Sequence, residues 1–122
     1  MTDARDQTTK DRDATGEVPH DEWPQWCDEI TSDNAGRRVA LLQSDRALGD
    51  VRLAEGEPLV ALEHDKFGKM ESLTFKCGSQ EVPVSYVVAE PRSVVQQRDR
   101  SGDLVEVRVA DATGRRLQVN FF

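Results

Sequence analysis

Gly102-Asp-Leu-Val-Glu-Val-Arg-Val-Ala-Asp-Ala-Thr-Gly-Arg-Arg-Leu-Gln-Val-Asn-Phe-Phe122 is the stretch whose reading decides the fold. Val105, Val107 and Val109 alternate with Glu106 and Arg108, and Leu117, Val119 and Phe121 alternate with Gln118 and Asn120. Side chains of a strand point alternately to opposite faces, so each run has one buried face and one wet face. The four residues Asp111–Gly114 between the runs suit a tight turn. The stretch therefore reads as a β-hairpin with Val105, Val107, Val109, Leu117, Val119 and Phe121 inward. Phe122 falls on the polar side, and a contact to the N-terminal arm or to another subunit is the expectation for it.

The turn repeats along the chain. Asp33–Gly36, Asp65–Gly68, Asp99–Gly102 and Asp111–Gly114 all read D-x-x-G. An Asp side chain hydrogen-bonds the backbone two residues on, and Gly accepts the left-handed conformation that closes such a turn. The last three are hairpin candidates, and the first joins a helix to a strand. None has the alternating oxygen ligands of a calcium loop.

Between these turns lie eight strand-like runs: Arg37–Ser44, Val51–Ala54, Leu59–His64, Met70–Lys76, Val82–Val88, Ser93–Arg98, Leu104–Ala110 and Arg115–Phe121. Pro83 lacks an N–H and belongs at an edge or a strand start. Glu90-Pro91 breaks the pattern and predicts a corner. The segment Arg46–Val51 reads as a loop with room for one helical turn. Short runs at this spacing predict a mainly β fold, or α+β if the N-terminal helix is counted. The expected architecture is an antiparallel meander of seven or eight strands, as a small barrel or a sandwich.

The helix comes first. Trp23, Trp26, Cys27 and Ile30 fall at i, i+3, i+4 and i+7, which is one helical stripe. Asp21 and Glu22 complement a helix N-terminus, and Pro24 is tolerated in a first turn. A short helix over 23–31 is predicted, its stripe docked on the sheet. Two Trp at this spacing belong to a core before they belong to a binding surface. The inward face of the closing hairpin is the natural surface for them to cover.

Residues 1–17 hold almost nothing apolar, so a disordered acidic tail is expected there, followed by one β-rich domain over 18–122. The charge supports this division. Residues 1–35 carry ten acids against three bases, whereas 36–122 carry 13 of each, so the net −7 sits wholly in the first third. A phosphate-backbone binder shows a basic patch, and here only Arg37, Arg38, Arg115 and Arg116 are available to build one by folding. No nucleic-acid partner is expected. No run of about 18 apolar residues exists, so no membrane helix is expected, and the N-terminus lacks the apolar core of a secretory signal. A cytoplasmic protein is expected, with Cys27 and Cys77 as separate reduced thiols.

Chemistry is sparse. His64-Asp65 is half of a general-base device, but adjacent strand residues point to opposite faces. His20, Cys27, His64 and Cys77 are the right elements for zinc without the close pairing of a zinc site. No phosphate-binding loop or nucleophile elbow is present. The sequence assigns no catalytic, metal or cofactor-binding residue, and no cofactor. Two functional classes are open. One is a non-enzymatic interaction or accessory module, acting on a protein partner or by self-association. The other is a ligand-binding barrel, or an enzyme built on one, with Trp23, Trp26, Tyr86 and His64 at a cavity mouth.

Glu22-Trp23-Pro24, the following Asp28, the Gly36-Arg37-Arg38-Val39 strand start, Pro91 and the Asp111–Gly114 turn resemble a family of short bacterial proteins of unknown function. Its members open with an acidic-Trp-Pro helix and continue as a β-rich chain. The resemblance covers about residues 18–122. It implies a compact stand-alone domain and carries no activity with it.

Overall fold

The computed structural model describes residues 14–122. Strands are β1 (Ala14–Glu17), β2 (Arg38–Asp45), β3 (Gly49–Phe67), β4 (Met70–Gly78), β5 (Pro83–Ala89), β6 (Pro91–Arg98), β7 (Leu104–Asp111) and β8 (Arg116–Phe121). A 3-10 turn (His20–Glu22) leads into helix α1 (Trp23–Asn34). Every pairing is antiparallel, and the sheet order is β1-β6-β7-β8-β2-β3-β4-β5. The mainly β antiparallel meander is thus present. It is not closed into a barrel: β5 and β6 are joined by Glu90 at φ 51 yet do not pair.

The closing hairpin forms as read, with Val109 opposite Leu117 and Val107 opposite Val119. One inward assignment needs correction. Leu104, not Val105, enters the core, because the ladder to β6 slips between Gln97 and Arg98 and resets the alternation. At Asp99 and Asp111 the turns are built alike. Each Asp carboxylate accepts the N–H and hydroxyl of the residue two on, and the N–H four on. Gly102 and Gly114 follow at φ 91 and φ 89.

Elsewhere the strands depart from the sequence reading. Val51–Ala54 and Leu59–His64 are one continuous strand, β3, of 19 residues. Its first half pairs with β2 and its second half with β4. Gly56 at φ 73 and Pro58 stand where the two halves meet, between the runs that the sequence separates. The loop expected at Arg46–Val51 shrinks to Arg46–Leu48, held by Asp45 accepting the Ala47 and Leu48 N–H groups. Asp65 opens no turn. It sits opposite Ser72 inside the ladder, and the β3–β4 turn is Gly68-Lys69, closed by Phe67 opposite Met70. The tail expected over 1–17 is also too long. Ala14–Glu17 form β1 on β6, and residues 1–13 lie outside the described residues.

Helix α1 runs three residues beyond the expected 31 and ends before Gly36 at φ 90. Trp23, Trp26, Cys27 and Ile30 are all buried, so the stripe is core. The helix lies along β3, not over the closing hairpin. Thr31 Oγ donates to the Leu62 carbonyl and accepts the Leu62 N–H, at 3.1 and 2.9 Å. That hydroxyl satisfies backbone groups beside the irregularity at Leu59–Ala61. Both Trp N–H groups also have partners, the Val18 carbonyl for Trp23 and Gln96 Oε1 for Trp26.

Candidate functional site

The sequence-level candidates separate in the structure. His64 points to the inner face of β3, and its partner is Glu71, not Asp65: Nε2 lies 2.7 Å from Oε2. His20, from the 3-10 turn, places its Nε2 2.9 Å from both Glu71 oxygens. Trp23 stands edge-on to both imidazoles, with ring centroids at 4.5 Å from His20 and 6.5 Å from His64. Burial works to raise the Glu71 carboxyl, but the hydrogen bonds and charges of His64 and His20 outweigh it and hold its pKa below the ordinary value. The cluster ties the start of the helix to the β3–β4 hairpin.

Both imidazoles are hydrogen-bonded to Glu71, and neither is bonded to a protein hydroxyl or thiol among the described residues. No group of three His, Cys, Asp or Glu is arranged to hold a metal ion among the described residues. Cys27 and Cys77 are free and buried; burial and then a neighbouring carboxylate push their thiols up to about 12 and about 11.

Trp23, Trp26, Tyr86 and His64 do not share a cavity mouth. Tyr86 alone lines the groove between β5 and the β7–β8 end, about 320 Å3, beside Leu53, Val88, Leu117 and Arg116. Its hydroxyl donates to the Leu53 carbonyl at 3.0 Å, which pins β5 across β3. Trp26 borders a separate cleft with Gln96. Arg38 and Arg116 sit at opposite ends of β2, since Ser44 is the partner of Arg116. At about 3.3 Å per residue they are roughly 20 Å apart, so the four arginines make no single patch.

The feature that stands out is strand β5. Among the described residues it ends the sheet and pairs only with β4. Natural sheets blunt such edges with charge or brevity. The other edge, β1, has four residues and ends in Glu17. By contrast Val82–Ala89 is the longest uncharged run in the sequence, eight residues. Val82 is 78%, Val84 55% and Val87 61% exposed. Phe67 and Met70, at the tip of the adjoining β3–β4 hairpin, are exposed too. Pro83 marks this strand as an edge in the sequence. Nothing there marks the exposure, because the alternation looks like that of a half-buried strand.

Fold and surface together define a small β-rich antiparallel-sheet protein with one N-terminal helix and one open, uncharged sheet edge. The chain belongs to a family of unknown function, DUF5335, whose model matches residues 14–122. That match begins where β1 begins. No curated protein matches the chain.

Proposed function

We propose that this protein is a non-enzymatic interaction module whose docking element is β5. The observation that carries this is the exposed, uncharged edge Val82–Ala89. Such an edge offers unpaired backbone donors and acceptors to an added strand, and its valines give apolar contact. The His20–Glu71–His64 cluster is read as structural, since it fastens two elements and holds no reacting group. The partner is a protein, not a nucleic acid, because the arginines are dispersed. Two free buried thiols agree with a reducing compartment, and the cytoplasm is the proposed location.

A photoreactive residue placed at Ser85, compared with one at the exposed Thr113, tests the reading in cells. Adducts with protein at 85, absent at 113 and lost when Val87→Lys is added, are expected. Equal adducts at both positions, or none at 85, would sink it.

A further inference from the structure

The groove between β5 and the β7–β8 end is where the core is left uncovered. Among the described residues, Leu53, Tyr86 and Val88 are the apolar side chains that pack on the core while staying partly exposed. They come from two strands that do not pair, β3 and β5, and all three line this one groove. Leu117, 5% exposed, lines it too. The uncovered apolar surface is thus gathered in one concavity, and an apolar body lying there takes it out of water.

Two side chains with spare hydrogen-bonding capacity stand beside that surface. Gln43 follows Val39 and Leu41 on the inner face of β2 and lies opposite Leu117. It is half-buried and lines the groove, and its amide has no hydrogen-bond partner among the described residues. Arg115 is held through one nitrogen, its Nε 3.2 Å from Asp45 Oδ2. Its two terminal nitrogens have no partner among the described residues, and it too lines the groove. We propose that this groove binds a small amphipathic carboxylate, its apolar body on Leu53, Tyr86, Val88 and Leu117 and its carboxylate on Arg115 and Gln43.

Charge and size choose this ligand class. The acids nearby are already engaged. Asp45 accepts the Ala47 and Leu48 N–H groups as well as Arg115, and Asp111 accepts the Thr113 N–H and hydroxyl and the Arg115 N–H. The free donors at the rim therefore belong to the cations, in a chain whose net charge is −7. A guanidinium with two open nitrogens matches the two oxygens of a carboxylate. A doubly charged phosphate would also meet the repulsion of Asp45 and Asp111. At about 320 Å3 the groove is at the small end of ligand sites, which begin at about 300 Å3. Ligand binding here is independent of docking at the β5 edge.

Backbone amide NMR of the full chain, titrated with decanoate below its micelle concentration, tests the site. Decanol and decyltrimethylammonium serve as neutral and cationic probes. Saturable shifts at the Gln43, Leu53, Val88 and Leu117 amides are expected with decanoate. Decanol should bind more weakly, and the cation more weakly still. Arg115→Gln should weaken decanoate several-fold and leave decanol unchanged, a difference that a purely structural loss would not give. Val88→Trp should fill the groove and abolish binding of both, with a thermal melt showing that the variant is folded. Absence of saturable shifts at these amides overturns the inference. Equal binding of the three probes overturns it too, as does an Arg115→Gln variant that binds decanoate like the wild type. Should Val88→Trp fail to fold, the Arg115→Gln comparison decides alone.

Discussion

Single residues carry much of the stability here, and their partners say how. Glu71 is the clearest case. Its carboxylate accepts from two imidazoles on different elements, and these hold its pKa below the ordinary carboxylate value against the pull of burial. A depressed folded-state pKa contributes stability that is present above the unfolded value and lost as pH falls through the folded one. Urea unfolding of wild type and Glu71→Gln should therefore differ near neutrality and converge as pH falls through and below the ordinary carboxylate range. A constant difference across that range would mean that the charge of Glu71 is irrelevant. Trp26 makes the second case. Its ring is 5% exposed and its N–H is bonded to Gln96. Trp26→Ala should cost about 3–5 kcal/mol, as large-to-small core changes do. A loss below about 1 kcal/mol, as surface substitutions give, would return the ring to the surface.

Elements show how far the sequence can be read and where it runs out. The closing hairpin is legible because its period and its turn chemistry agree. In β3 they disagree. Gly56 and Pro58 are local breakers, yet pairing on both sides, first to β2 and then to β4, carries the strand through them. Local signals cannot register partners that lie far along the chain. The His64–Glu71 pair escapes the sequence for a related reason. Placing the turn at Asp65–Gly68 hides it, whereas the actual Gly68-Lys69 turn sets His64 opposite Leu73 and Glu71 opposite Lys66, diagonal neighbours on one face. His20 joins them through tertiary packing alone, which no spacing announces. The D-x-x-G turns at Asp99 and Asp111 are legible, and they make a prediction. A methyl group at Gly114 would meet only open space, so its φ of 89 alone opposes substitution. Gly114→Ala should cost about 1–2 kcal/mol from the left-handed penalty, measured by thermal unfolding. The helix–sheet seam gives another. Thr31→Val keeps the shape but strips Leu62 of both backbone partners, so about 1–3 kcal/mol should be lost, and Thr31→Ser should retain most of it.

At the scale of the whole molecule, α1 and the inner face of the sheet share one core, and two thiols report on it from opposite sides. Cys27 comes from the helix and Cys77 from β4, and both belong to the buried cluster. Burial first, and then Asp28 or Glu57, raise them from 9.0 to about 12 and about 11. A raised folded-state pKa means stability fully present below the unfolded value and lost as pH climbs through the folded one. The unfolded chain sheds these protons near pH 9, while the fold retains them. Stability should then fall steadily between about pH 9 and pH 12. Cys27→Ala/Cys77→Ala should flatten that slope while lowering stability at neutral pH through the cavities left. The same burial makes the thiols slow nucleophiles, because the thiolate is the reacting species. With a disulfide reagent at neutral pH, both should react only when the core opens, at matching rates that track global unfolding. Were Cys27 to react much faster than Cys77, the helix would be opening on its own. The sheet, with its open edge at β5, would then be a stable unit without it.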